Sequence, residues 1–208
     1  GVGSAEITAL LGSVKAEGSA NLTVTGSFDL APTPTRKPEN VISVFSDAYT
    51  NVPVDFYNGF FEGQTTTGGL VSINEENNIL TYDNLNFVAT SFTNPTVNAS
   101  QMTHFHVDIR IDESIDQGDA IIFELIDFGP DGVFGGGDDT GGAITYISGQ
   151  LESGTWISFD IPLTDFSDPT GGGLTGLVNG DKANLAQIVF ASAGISVLSV
   201  DNIYFYNE

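Results

Sequence analysis

Along most of the chain the apolar positions recur with a period of two, in runs short enough for single strands. The clearest run is Met102 to Ile111, where Phe105, Val107, Ile109 and Ile111 alternate with His104, His106, Asp108 and Arg110. Successive side chains of a strand point to opposite faces, so the first set predicts a core face and the second the reverse face. Trp156 to Leu163 repeats the pattern, with Ile157, Phe159 and Ile161 inward and Trp156, Ser158 and Asp160 outward. Ala120 to Phe128 is apolar almost throughout, as in a central strand or one buried on both faces. Further strands are predicted at 41–45, 52–57, 79–82, 85–92, 144–147, 185–192 and 195–206, separated by Gly, Asn, Asp and Ser. No window carries a helical period beyond a turn or so. The expected fold is all-β, an antiparallel β-sandwich of jelly-roll type over residues 39–208.

Two pieces precede that domain. Pro32 to Pro38 holds three prolines in seven residues and predicts an extended, semi-rigid linker and a domain boundary. Residues 1–31 predict two short strands, Ile7 to Leu11 and Leu22 to Thr25. Two strands bury no core alone. One reading makes them the C-terminal fragment of an immunoglobulin-like domain; the other makes them an extra hairpin pairing with the main domain. The chain opens Gly1-Val2-Gly3 without Met or a signal sequence, so the expectation is a processed product or a piece of a longer chain, its export signal removed.

Composition narrows the chemistry. With 208 residues the chain buries an adequate core without disulfides, and it has no cysteine, which excludes thiol chemistry and Cys-based zinc sites. No apolar run is long enough to span a bilayer. Net charge is −22, with 27 acidic and five basic residues. Such a surface repels nucleic acid, acidic lipid and polyanionic glycans unless a cation bridges them. A hydrophobic content of 40 % and an aromatic content of 11 % still make this a folding composition rather than a disordered acidic one.

The most unusual stretch is Asp127 to Gly142, DFGPDGVFGGGDDTGG. It carries Asp127, Asp131, Asp138 and Asp139, and seven of its sixteen residues are glycine. Glycine allows tight curling at positive φ, so these carboxylates can converge, and converging carboxylates suit a hard cation such as Ca²⁺. The spacing is not that of a helix-flanked calcium loop. The alternative is a long, solvated, acidic hairpin tip.

Five runs together carry a resemblance. They are Asn40 to Gly59, NVISVFSDAYTNVPVDFYNG; Met102 to Ile111, MTHFHVDIRI; Asp127 to Asp139; Trp156 to Phe166, WISFDIPLTDF; and Val200 to Tyr206, VDNIYFY. In this order and spacing they resemble a carbohydrate-binding module of the kind appended to glycoside hydrolases and surface glycan-binding proteins of marine bacteria that degrade algal polysaccharides. The likeness spans roughly Pro32 to Tyr206. It implies a β-sandwich, a structural cation, no catalysis, an extracellular or outer-surface setting and a larger parent protein. Where that family often has a tryptophan in an Asn-Pro-Asn-Trp-Gly-like turn, this chain reads Asn58-Gly59-Phe60-Phe61-Glu62-Gly63. Phenylalanine keeps a flat apolar face but lacks the indole N–H. Modules of this kind commonly tie the last strand to the first loop through calcium. Here Asp201, an acid interrupting an apolar final strand, would be joined by Asp47 and Asp55; otherwise Asp201 is an edge residue facing water.

A sugar binder needs exposed aromatics and a few polar side chains. Phe60 and Phe61 are read either as that platform or, for one of them, as a core plug. Trp156 falls outward by alternation, unless a neighbouring loop covers it. His104, His106 and Arg110, with Asp108, share one strand face: a solvated sheet face, sugar contacts, or two His holding a transition metal. Gln187, on an otherwise apolar strand, is a further hydrogen-bonding candidate.

Three function classes follow. The first is a non-catalytic binder of a polysaccharide, with a neutral β-glucan such as laminarin favoured by charge. The second is a hydrolase or lyase, including one acting on an anionic glycan such as alginate. A hydrolase needs paired carboxylates about a scissile bond, and the acids here fall mostly in turns. The third is a calcium-dependent adhesion or spacer domain, which has no need of aromatics at Phe60 and Phe61. The reading adopted is the first: not an enzyme, Ca²⁺ as cofactor, polysaccharide as partner, and neither nucleic acid nor membrane insertion.

Overall fold

The computed structural model describes residues 29–167, 174 and 176–208 in full, and four N-terminal strands as backbone alone. These four are β1 (Gly3–Ile7), β2 (Leu10–Leu11), β3 (Val14–Lys15) and β4 (Ala20–Val24). β1 pairs antiparallel with β4, and β2 with β3. Among the described residues neither pair joins the sheets of the main domain. Of the strands expected at Ile7 to Leu11 and Leu22 to Thr25, residues 8–9 and 25 lie outside the described residues.

Among the described residues ten strands build the main domain: β5 (Val41–Phe45), β6 (Thr67–Ser72), β7 (Asn78–Asp83), β8 (Phe87–Ser91), β9 (His104–Arg110), β10 (Ala120–Asp127), β11 (Thr140–Ile147), β12 (Trp156–Pro162), β13 (Leu185–Ala193) and β14 (Val197–Tyr206). They form two antiparallel sheets. One runs β11-β10-β13-β8; the other runs β12-β9-β14-β7-β6, with β5 also on β14. The domain is therefore the antiparallel β-sandwich that the alternation predicted, and Phe105, Val107, Ile109, Phe159 and Ile161 are all buried in its core.

A cluster of aromatic rings lies among the aliphatic side chains between the sheets. Phe123 of β10 meets Phe159 at 5.3 Å, Tyr146 at 5.6 Å, Phe190 at 5.8 Å and Phe105 at 6.5 Å between ring centroids, mostly edge to face. Phe105 in turn packs on Phe166 and Phe205. β14 lies at the centre of the larger sheet and changes partners midway. Val197–Val200 pair with β7 and Ile203–Tyr206 with β5. The ladder shifts register between Asp201 and Tyr204, where Asn202 sits at φ +52°. The buried Asn202 amide secures this bulge: it accepts from Ser46 Oγ at 2.8 Å and donates to Asp108 at 2.7 Å and to the Pro32 carbonyl at 3.0 Å.

One strand expectation is corrected, and one strand was not foreseen. Residues 52–57 form only bridges, because Pro53 has no N–H to give a ladder; Val52 donates to Ser43 and Asp55 to Ser91 instead. β6 was not expected, since its Gly68-Gly69 pair reads as a turn. Gly68 has φ +100° and presses on the Thr81 carbonyl, a close approach that only glycine allows.

Replacing the ring at the centre of the aromatic layer should be costly. Phe123→Ala is expected to lower unfolding free energy by about 3–5 kcal/mol, read by urea denaturation with a far-UV check that the sheet signal persists.

Candidate functional site

The outer face of the four-stranded sheet forms the floor of a trough, in which small residues such as Ala89, Ser91, Gly141, Ala143 and Ala191 are interspersed with longer ones. The strand registers align Ser91, Gln187, Ile126 and Gly141 in one row, Ala89, Val189, Glu124 and Ala143 in the next, and Phe87, Ala191, Ile122 and Thr145 in a third. Glu124 is the one charged residue in β10 before its terminal aspartate, and Gln187 Nε2 donates to Ser91 Oγ at 3.2 Å.

Loops raise a wall on either side. On one, Phe61 packs edge-on against Phe56 at 6.2 Å, and the Phe56 ring lies where a Cβ on Gly59 would be. This fixes the turn that carries Phe61. On the other, the acidic loop contributes Phe128, buried, and Phe134, 64 % exposed, with centroids 5.5 Å apart. Between them are two adjoining hollows of about 330 and 420 Å³, which share Phe61, Glu124, Ile126 and Gln187. The first also touches Phe128, Phe134 and Leu174, and the second Glu62 and Phe87. Such a mainly apolar concavity with a few polar groups is the form of a ligand site.

The structure thus brings Phe61 and Gln187 together. Phe60, on the same turn, is 89 % exposed and lines neither hollow. Phe87, Glu124, Phe128, Phe134 and Leu174 were not anticipated. An acid inside an otherwise apolar central strand was the available signal for Glu124.

Trp156, His104, His106 and Arg110 lie on the opposite side of the molecule, on the outer face of the six-stranded sheet. That face is not the solvated one considered above, because residues 29–38 cross it. Trp156 Nε1 donates to the Asp29 carbonyl at 2.6 Å, Tyr49 Oη donates to the Arg36 carbonyl at 2.9 Å, and the Arg36 guanidinium stands 3.4 Å over the Tyr206 ring. Arg110 bonds Asp112 at 2.8 Å and nears Asp29 at 3.6 Å. His104 stacks on Tyr206, and His106 on Tyr204. His106 Nδ1 lies 2.9 Å from Asp160 and its Nε2 3.5 Å from Asp108. Burial pulls the His106 pKa down, but hydrogen bonds to Asp108 and Asp160 and their charges outweigh it and leave it raised.

The acids expected to hold metal divide into groups. Asp47 and Asp201 line one hollow of about 320 Å³ with Glu76 and the 30–34 segment. Asp55 does not join them: its carboxylate accepts from Thr93 N at 2.6 Å and Thr93 Oγ1 at 2.7 Å, which lowers its pKa. In the long loop Asp127 accepts from Gly129 and Asn184, Asp131 from Val133, and Asp139 from Gly135. Asp138 lines a hollow with Asp127. Among the described residues no three His, Asp or Glu side chains are already arranged to hold a metal ion.

The sandwich is similar to carbohydrate-binding modules of known structure. A family 11 module from Clostridium thermocellum, in complex with a β-1,3-1,4-mixed-linked tetrasaccharide, matches with a TM-score of 0.55 and 20 % identity over 81 % of this chain and 96 % of that one. A family 30 module of a cellulosomal cellulase of the same organism matches with a TM-score of 0.51 and 18 % identity over 81 % and 98 %. The family 11 module of another of its cellulosomal cellulases matches with a TM-score of 0.51 and 19 % identity over 76 % and 97 %. No protein-family model and no curated protein matches the chain. At these identities the likeness is one of fold: the chain has the β-sandwich fold of carbohydrate-binding modules.

Burial raises the Asp201 pKa to about 7, helped by the charges of Asp47 and Asp108 and opposed by its bond from Asn202 N. Unfolded, an aspartate titrates near 3.9. Between those values the folded state keeps a proton that the unfolded state has lost, so stability falls as pH rises through this window and levels above it. In chelator, the unfolding free energy of Asp201→Asn should gain on that of the native chain from about pH 4 to about pH 7. Parallel pH profiles for the two would contradict this.

Proposed function

We propose that this domain binds a neutral polysaccharide, without catalysis, in the trough on the outer face of the four-stranded sheet, as part of an extracellular or cell-surface protein with further domains. The observation that carries this reading is the trough itself: a mainly apolar floor in which Glu124 and Gln187 are set, between Phe61 on one wall and Phe128 and Phe134 on the other. Sugar rings lay their C–H faces on such apolar surfaces, while Glu124 and Gln187 reach the hydroxyl rim. The fold neighbours are binding modules, which supports binding without chemistry.

Charge selects among glycans. The chain carries −22, and Glu124 and Glu62 line the trough itself. A sulfated or uronate chain meets an unfavourable field there, and a neutral one does not. We take a β-glucan of laminarin type as the ligand to test. Affinity electrophoresis should show retardation in laminarin gels and none in alginate or carrageenan. Phe61→Ala with Gln187→Ala should weaken laminarin binding at least about tenfold, or 1.4 kcal/mol, whereas His104→Ala on the opposite face should leave it unchanged. Retardation by the acidic gels alone would overturn the reading.

We also propose a structural Ca²⁺ at the hollow that joins the first loop to the last strand. Asp47 and Asp201 would hold it, with Glu76 and carbonyl oxygens of the 30–34 segment beside them. Supporting this, Asp201 is largely buried beside Asp47 and Asp108 with no ion pair among the described residues. A cation there would neutralise the cluster and pin residues 30–34 to β14. A ligand that binds only the native state raises its stability. Melting temperature should therefore rise with calcium, fall back with chelator, and respond less in Asp201→Asn.

A further inference from the structure

Residues 32–37 cross the outer face of the six-stranded sheet and leave a hollow of about 630 Å³ beneath them. Arg36 and Lys37, two of the chain's five basic residues, line it from the crossing segment. His106 and Asp108 line it from β9, Asp160 from β12 and Glu208 from the C-terminus.

One oxygen in this hollow has two claimants. His106 Nδ1 lies 2.9 Å from Asp160 Oδ1, and Arg36 Nη2 approaches the same Oδ1 at 3.5 Å. The other ring nitrogen of His106 faces Asp108 at 3.5 Å, a carboxylate 1 % exposed. Both ring nitrogens donate only in the imidazolium, so the two carboxylates together draw a proton onto His106.

That proton sets His106 against the crossing segment. An imidazolium on Asp160 repels the guanidinium that reaches for the same oxygen, and Lys37 adds a third positive charge. A neutral ring carries no charge and leaves Arg36 as the one cation on Asp160 among the described residues. Burial acts in the same direction. His106 is 7 % exposed, in a hollow that the segment covers, and hydration gained as the segment lifts favours the charged ring. His106 therefore holds its proton more tightly with the segment lifted than with it seated, and by linkage protonation favours lifting.

The other groups around His106 leave this sign in place. Asp29, the only acid of the segment, nears Arg110. Asp108 and Glu208 are outside the segment and act on both states alike. Tyr204 stacks on the ring and Tyr206 lies beside Tyr204; burial raises both phenols above their ordinary value, so they stay neutral near pH 7. Asp201, across the ladder from Asp108, titrates at about 7, and His104 lies two residues from His106 on the same strand; variants separate these two from His106.

We propose that residues 29–38 form an acid-loosened strap: protonation of His106 displaces Arg36 from Asp160 and frees the segment from the sheet, and loss of the proton seats it. Global stability responds with the opposite sign. Burial lowers the His106 pKa, but the bonds to Asp108 and Asp160 and their charges outweigh it and leave it raised. Its contribution to folding is thus complete below about pH 6.5 and is lost as pH rises through the folded value. The strap tightens over the window in which this contribution fades. The proposal is independent of what the trough binds.

The chain has no cysteine, so Thr35→Cys, at an exposed position, carries a single nitroxide label on the strap. Its spectrum is followed in chelator from about pH 5 to about pH 9, the range that brackets histidine titration. The His106 ring resonances give its titration midpoint in the same samples. On acidification the ratio of mobile to immobile label should rise, by up to about tenfold for each unit by which lifting raises the His106 pKa. His104→Gln should keep the step and His106→Gln should abolish it, with a far-UV spectrum confirming the sheet. Arg36→Gln should raise the His106 midpoint and flatten the step, which decides the matter even where His106→Gln does not fold. Label mobility that ignores pH, that falls on acidification, or that keeps its step in His106→Gln would overturn the proposal, as would an unchanged or lowered midpoint in Arg36→Gln.

Discussion

The sandwich depends on the rings that keep its two sheets together. Phe123 rises from the four-stranded sheet and is met by Phe105 and Phe159 from the six-stranded one, with Tyr146 and Phe190 at its flanks. Rings of this size bury much apolar surface each and lock their neighbours by shape. Because the inward positions are spent on this layer, everything else the domain does falls to the two outer faces and the loops at their ends.

Those outer faces have divided the work. The larger sheet turns outward a polar set, His106, Asp108, Ser158 and Asp160, roofed by residues 29–38. Its buried charges are satisfied by one another and by Asn202, which also holds the roof through the Pro32 carbonyl. The smaller sheet turns outward small residues such as Ala89, Ser91, Ala143 and Ala191 together with Ile122, Glu124, Ile126 and Gln187, and the loops beside it lift phenylalanines above that floor. One face is crossed by the chain itself, which leaves a polar hollow of about 630 Å³ between residues 32–37 and the sheet; the other is concave and mainly apolar.

The strand architecture was legible because alternation is a local property. His104 to Ile111 and Trp156 to Leu163 each declare their inward and outward sides without reference to any other residue. What lies over an outward side is not local. Trp156, His104, His106 and Arg110 all point away from the core as the pattern requires, and the roof that covers them begins with Asp29, 127 residues from Trp156. The same limit hid the approach of Asp181 to Asp127, which line one hollow. Phe134 sits in a stretch whose glycines and acids dominate its pattern, so it reads as loop and not as wall, and Phe128 reads as the end of the strand before it. Asp55 was grouped with Asp47 by proximity in sequence, but Pro53 breaks the strand between them and Thr93 takes the Asp55 carboxylate.

The roof changes what the proline-rich stretch means mechanically. Ten free residues would give a neighbouring domain roughly 35 Å of contour to explore. Residues 29–38 are instead anchored at Asp29, Pro32 and Arg36, so that slack is removed. A pull along the chain would first load the Trp156 indole and the Arg36–Tyr206 stack, and only afterwards the β-sheets. The stretch serves less as a leash than as a shear joint, one whose failure would lengthen the tether while leaving the open trough on the far side undisturbed.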